Sequence, residues 1–133
     1  MTDADFFIEY KNFLARAITL CEKACKEGLL SLEELIDEEK FIQRDIFELG
    51  IYLVIQAIDE EIIFSVLSNI VDQEKDKNMK TLKTIKLEAV SAFQKGLHPS
   101  KLFLLLNSHV SIDIESSMKK YKELAKKQYG GKN

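Results

Sequence analysis

The chain has 133 residues, 46% of them hydrophobic and 31% charged, with one Pro, five Gly, no Trp and two Cys. That is long enough for one domain with a real core, and too poor in turn residues for a loop-rich or turn-rich β fold. The net charge of −3 is unevenly spread: residues 1–76 hold 18 acidic and 7 basic side chains, and residues 77–133 hold 4 and 12. The two halves can fold against each other, or offer two faces to different partners. The longest apolar runs, Ile51–Ile55 and Leu102–Leu106, fall far short of the roughly 18 residues that cross a bilayer, so no membrane span is expected. The start, Met-Thr-Asp-Ala-Asp, is acidic where a secretory signal would be basic. With two cysteines and no signal, the expected compartment is the reducing cytoplasm.

Phe6 to Lys26 reads as a first helix, which Asp3 or Asp5 can cap. Phe6, Tyr10, Phe13, Ala17, Leu20 and Ala24 recur at helical spacing, and Phe7, Leu14, Ile18, Cys21 and Cys25 widen the stripe into a broad core face. Both cysteines are expected there as small buried hydrophobes. Gly28 suits a helix stop, and Ser31 with Glu34 forms the capping-box pattern that starts another helix. One helix running through, with Gly28 at a close crossing, is the alternative. Leu29 to Asp37 is the expected second helix, followed by the charged connection Asp37-Glu38-Glu39-Lys40.

From about Phe41 to Ile58 comes a strongly apolar third helix, expected to be the central buried one. The β-branched content of Ile51–Ile55 also suits a strand, but no partner strand is apparent. Asp59-Glu60-Glu61 caps a fourth helix with the core face Ile62, Ile63, Val66, Leu67, Ile70 and Val71. Gln73–Lys86 continues without Gly or Pro, either as the same helix or across a charged hinge. Its Lys77, Lys80, Lys83 and Lys86 make a basic ridge, either solvated or offered to an acidic partner. Gly96 stops the helix, and Pro99 opens the next in its first turn. A last helix, roughly Asp113 to Gln128, carries Lys119, Lys120, Lys122, Lys126 and Lys127; residues 129–133 should fray.

No catalytic constellation stands out. The sequence has no P-loop, no G-x-G-x-x-G, no H-E-x-x-H and no Cys/His metal spacing. The carboxylate pairs Glu33/Glu34, Glu38/Glu39 and Glu60/Glu61 are adjacent in sequence and do not face each other on a helix. No enzyme activity, cofactor or metal is expected. The basic last helix could touch anionic lipid or nucleic acid, but Tyr121 and Tyr129 are too sparse for a base-stacking platform, and no nucleic acid is expected.

Two stretches together resemble the flagellar stator proton-channel subunit (the MotA family). The family's cytoplasmic segment reads E-G-L-L-A-L-E, then an acidic stretch, then G-L-x-L-x-V-D-G and x-x-x-E-x-I-x-x-x-L. Between about residues 24 and 71, Lys26-Glu27-Gly28-Leu29-Leu30-Ser31-Leu32-Glu33 fits, and Ile46-Phe47, Gly50-Ile51, Leu53, Ile55, Glu61, Ile63 and Leu67 continue in register. Gln56-Ala57 stands where the family has Asp-Gly. The family's tail reads E-G-x-x-A-I-Q-x-G-x-N-P-x-x-[IL]-x-x-x-L-x-S. Residues 88–110 match it at Glu88, Ala92, Phe93, Gln94, Gly96, Pro99, Leu102, Leu106 and Ser108, with His98 for the usual Asn.

Hydrophilic Asp72–Leu87 replaces the membrane helices that separate these stretches in the family, so the resemblance argues against ion conduction. It implies a protein built from a stator subunit's cytoplasmic parts, with flagellar rotor or stator components as partners. The family engages the rotor through charged residues in this segment. Here Glu34 stands where the family often has Arg, and Glu33, Asp37, Glu38, Glu39, Lys40 and Arg44 keep the region charged. These residues are the first candidate partner-binding face, and the ridge Lys77, Lys80, Lys83 and Lys86 is the second.

The expected fold is a single all-α domain over residues 1–133, of about five or six helices, with the third, fourth and Pro99-initiated helices packed on the first. It is expected as a monomer or homodimer. The expected role is non-catalytic protein–protein interaction or scaffolding at or near the motor. The alternative is a small adaptor that binds anionic membrane or nucleic acid through its basic last helix.

Overall fold

A computed structural model describes residues 1–35, 45–111 and 113–129. The described residues are all-α: α1 (Asp3–Glu27), a 3-10 helix (Leu29–Leu35), α2 (Ile46–Ile55), α3 (Glu60–Gln73), α4 (Lys77–Lys95), α5 (Pro99–Asn107) and α6 (Ile114–Tyr129). No helix among them is long and apolar enough to cross a membrane. Phe41–Arg44, expected to open the third helix, lie outside the described residues.

The helix ends follow local chemistry, not always the chemistry expected. Thr2 caps α1 in place of Asp3 or Asp5, its Oγ1 accepting from the Asp5 N–H at 3.1 Å. The two aspartates occupy the first turn, where they favour the helix dipole. Gly28 ends α1 with φ 89° and ψ 162°, a region open essentially to glycine alone. No capping box follows. The Ser31 hydroxyl donates back to the Gly28 carbonyl at 2.6 Å, and Glu34 turns to Lys23. The chain therefore tightens into a 3-10 turn rather than opening an α-helix.

Asp45 caps α2 by accepting from the Glu48 N–H at 2.8 Å. Asp59 holds the N-cap position of α3 but makes no side-chain cap bond. The charged stretch before Lys77 is a break. Asp76 caps α4, accepting from the Met79 N–H at 2.8 Å, so α3 and α4 are separate helices. Gly96 stops α4 in the left-handed conformation, φ 70°, and Pro99 sits in the first turn of α5 behind His98, whose Nδ1 accepts from the Ser100 N–H.

The hub is α4, not α1 or α2. It packs on α1, α2, α3 and α5, while α3 lies on α2 and α4, and α6 lies on α5. Its Leu82, Ile85, Leu87, Ala89, Val90, Ala92 and Phe93 are all buried. Fully buried Ala89 and Ala92 spare the space that close neighbours need. At Gly50 on α2, an added Cβ would lie 2.4 and 2.8 Å from the two γ-carbons of Val90. That glycine sets how closely α2 and α4 cross. Phe47 bridges the same seam, edge-on to Phe13 of α1 (5.1 Å between centroids) and to Phe93 of α4 (5.4 Å).

Three expected core assignments fail, the first at Phe7 of α1, which faces outward. On α3 only Ile63, Leu67 and Val71 are buried, while Ile62 and Val66 face outward. This helix sits at the edge of the bundle and buries one narrow stripe. Cys21 is buried, but Cys25 is exposed, although its Sγ lies 3.6 Å from the Leu97 carbonyl.

Candidate functional site

The first candidate face begins on the 3-10 helix. Leu32 anchors it with no exposed surface, while Glu33 and Glu34 point to solvent. Glu34 forms a hydrogen-bonded ion pair with Lys23 of α1. That hydrogen bond, followed by the lysine's charge, holds the Glu34 carboxyl below its ordinary range. The pair fastens the 3-10 turn to α1, whereas Glu33 makes no ion pair among the described residues. Asp37, Glu38, Glu39, Lys40 and Arg44 lie outside the described residues.

The second face is divided. Lys77 and Lys80 are exposed on the first turns of α4. Lys83 is half-buried and reaches Glu74 at 2.8 Å. Lys86 is more enclosed still; it reaches Asp45 at 3.1 Å and lies 5.5 Å from the Phe13 ring centroid. A spacing of three on a helix drifts steadily around its axis, and here the drift carries the last two lysines against α2 and the α3–α4 junction. Lys77 and Lys80 are thus the solvent-facing members, and Lys83 and Lys86 bind the fold together.

Among the described residues no group of three or more His, Cys, Asp and Glu side chains could hold a metal ion. Burial pushes the Cys21 thiol up to about 12, so it stays protonated and unreactive. It donates instead to the Leu97 carbonyl at 3.3 Å.

A feature that no sequence pattern singled out lies between α1, α5 and α6. Phe7, Leu14, Phe103, Val110 and Leu124 wall a groove of about 520 Å³. Beneath it, the buried Tyr10 hydroxyl donates to Asn107 Oδ1 at 2.6 Å, and Asn107 Nδ2 donates to Ser117 Oγ at 2.8 Å. Lys11, Lys120 and Lys127 line it as well. The spacing Phe7-Lys11-Ala15 on one line of α1 was visible in the sequence, but the apposition of α1 with α6 is tertiary.

No family model, no curated protein and no solved structure matches the chain.

The exposed charges sit on helix surfaces, and the buried polar groups are bonded to one another.

Proposed function

We propose that this chain is a non-catalytic, cytoplasmic, stator-like protein. It acts through protein–protein contacts at or near the flagellar motor, as an accessory scaffold or as a competitor for a surface that stators use. The observation that carries this reading is Ala57. It stands where the stator pattern has glycine, and it takes φ 59°, the sole positive φ of a non-glycine among the described residues. A family pattern matched by chance has no reason to place its glycine at a left-handed position. Three of the pattern's other glycines point the same way: Gly28 and Gly96 have positive φ, and Gly50 lies where a Cβ would clash; the pattern's glycine after Glu88 is Ala89 here, fully buried within α4. The two matching stretches also pack on each other, Phe47 on Phe93 and Gly50 on Val90.

The test is a pull-down from motile cells with the tagged chain, at low and moderate salt, read by identification of the recovered proteins. Rotor, stator or other basal-body proteins are expected. Reversing Glu33, Glu34, Asp37, Glu38 and Glu39 together should abolish that recovery. Unchanged recovery would move the contact away from this face. An absence of motor proteins at both salt concentrations would overturn the motor reading.

One observation favours a second reading. Lys119, Lys120, Lys122, Lys126 and Lys127 are all exposed on α6, and none is ion-paired among the described residues. An adaptor that binds anionic membrane or nucleic acid through this helix should bind with strong salt sensitivity. It should lose that binding when these five lysines are reversed.

A further inference from the structure

The groove between α1, α5 and α6 is not used by the stator-like reading, and it shares only Lys120 and Lys127 with the second reading. Its lining includes Lys11, Lys120 and Lys127 but no Asp or Glu, in a chain that has more acidic than basic residues. The three lysines come from two facing helices and have no ion-pair partner among the described residues. Phe7, on the groove wall, is 47% exposed, so a large aromatic surface stands in water beside three like charges. Both costs are removed by one occupant with a long apolar body and an anionic head.

The floor narrows the choice further. The hydroxyl of Tyr10 and the amide of Asn107 already satisfy each other and Ser117. They ask for no polar partner from an occupant, so the part lying over them can be hydrocarbon. The groove's volume is in the range of small-molecule sites. A helical peptide is about 10–12 Å across with its side chains, and two turns of one exceed this space. We propose that the groove binds a single long-chain carboxylate of the free fatty-acid type. Its acyl chain lies along Phe7, Leu14, Phe103 and Leu124, and its carboxylate sits among Lys11, Lys120 and Lys127.

The experiment is calorimetric titration of the whole chain with oleate, below the concentration at which it forms micelles. One site per chain is expected. Saturated acids compared in the same way should weaken roughly tenfold for every two methylenes removed. The alcohol of oleate's length should bind at least tenfold more weakly than the acid. The triple variant Lys11→Glu/Lys120→Glu/Lys127→Glu should weaken oleate binding at least tenfold. Phe7→Gln, at an exposed position that leaves the core intact, should also weaken it while helical circular dichroism stays unchanged.

No saturable binding, equal binding of acid and alcohol, or indifference to both variants would overturn the site. So would binding to phosphatidylglycerol vesicles without binding of the monomeric acid, which would make the lysines a membrane-facing surface. The result is independent of the pull-down, which reads a different face.

Discussion

Ala57 joins Gly28 and Gly96 as a described residue with positive φ. It ends α2 in a Schellman arrangement: its own N–H reaches the Val54 carbonyl at 3.0 Å, and the Ile58 N–H reaches Leu53 at 3.1 Å. Gly96 ends α4 with the same pair of bonds, to Phe93 and Ala92. The hydrogen bonding is equivalent, but alanine keeps a Cβ that crowds the carbonyl in this conformation. Ala57→Gly should therefore stabilise the fold by about 0.5–1 kcal/mol, after allowing for the greater chain entropy of glycine. The check is the urea midpoint of the variant against the parent, with Gly96→Ala moving the other way. The stator-like pattern has glycine at this place, so the same substitution also measures what glycine is worth at this helix end.

At the scale of elements, most helices were legible because their signals are local. Gly96 and Pro99 bracket one boundary, and the apolar spacing of α1 is unmistakable. The break between α3 and α4 was less so, because no Gly or Pro marks it. It is made by carboxylates: Asp76 caps α4, and Glu74 accepts from the Lys75 and Asp76 N–H groups and pairs with Lys83. The hub role of α4 was hidden for a related reason. Its lysines advertise a solvent face, and only the tertiary fold shows Lys83 and Lys86 turned inward. Of the candidate site, the acidic character was visible, whereas the groove needed two helices that are distant in sequence.

This carboxylate-built junction has a pH signature. The Lys83 hydrogen bond holds Glu74 below its ordinary 4.5, and the Met79 N–H holds Asp76 below its ordinary 3.8. A depressed folded-state pKa means stability that is present above the ordinary range and is lost as pH falls through the folded value. Melting temperature should thus fall between pH 5 and pH 3. Glu74→Gln should be less stable than the parent at pH 7 and show a shallower decline on acidification. A parallel decline in parent and variant would remove Glu74 from the account.

At the scale of the whole molecule, the first and last helices are joined through a buried polar relay. Tyr10 of α1, Asn107 at the end of α5 and Ser117 of α6 are bonded in series, and the Ser117 hydroxyl passes on to the Asp113 carbonyl at 2.8 Å. Asn107 and Ser117 are only 3% and 4% exposed, so water does not replace a lost partner. Burial also pushes the Tyr10 hydroxyl well above its ordinary value, which keeps it a neutral donor at any pH the fold survives. Asn107→Leu strands that donor and deprives Ser117 Oγ, at about 1–3 kcal/mol for a stranded buried group. Tyr10→Phe removes the donor together with its need for a partner and should cost about 1 kcal/mol. The combination Tyr10→Phe/Asn107→Leu should cost less than the two single changes added together, because the stranded hydroxyl is gone. Urea unfolding of the four species measures that difference directly. Hydrogen exchange along α6 adds the spatial reading, since Asn107→Leu should speed exchange there before it does so in α4. Simple additivity would mean that Tyr10 and Asn107 are not energetically coupled, and unchanged exchange in Asn107→Leu would leave α6 held by its apolar contacts, Tyr121 against Phe103 (5.6 Å between centroids) foremost among them.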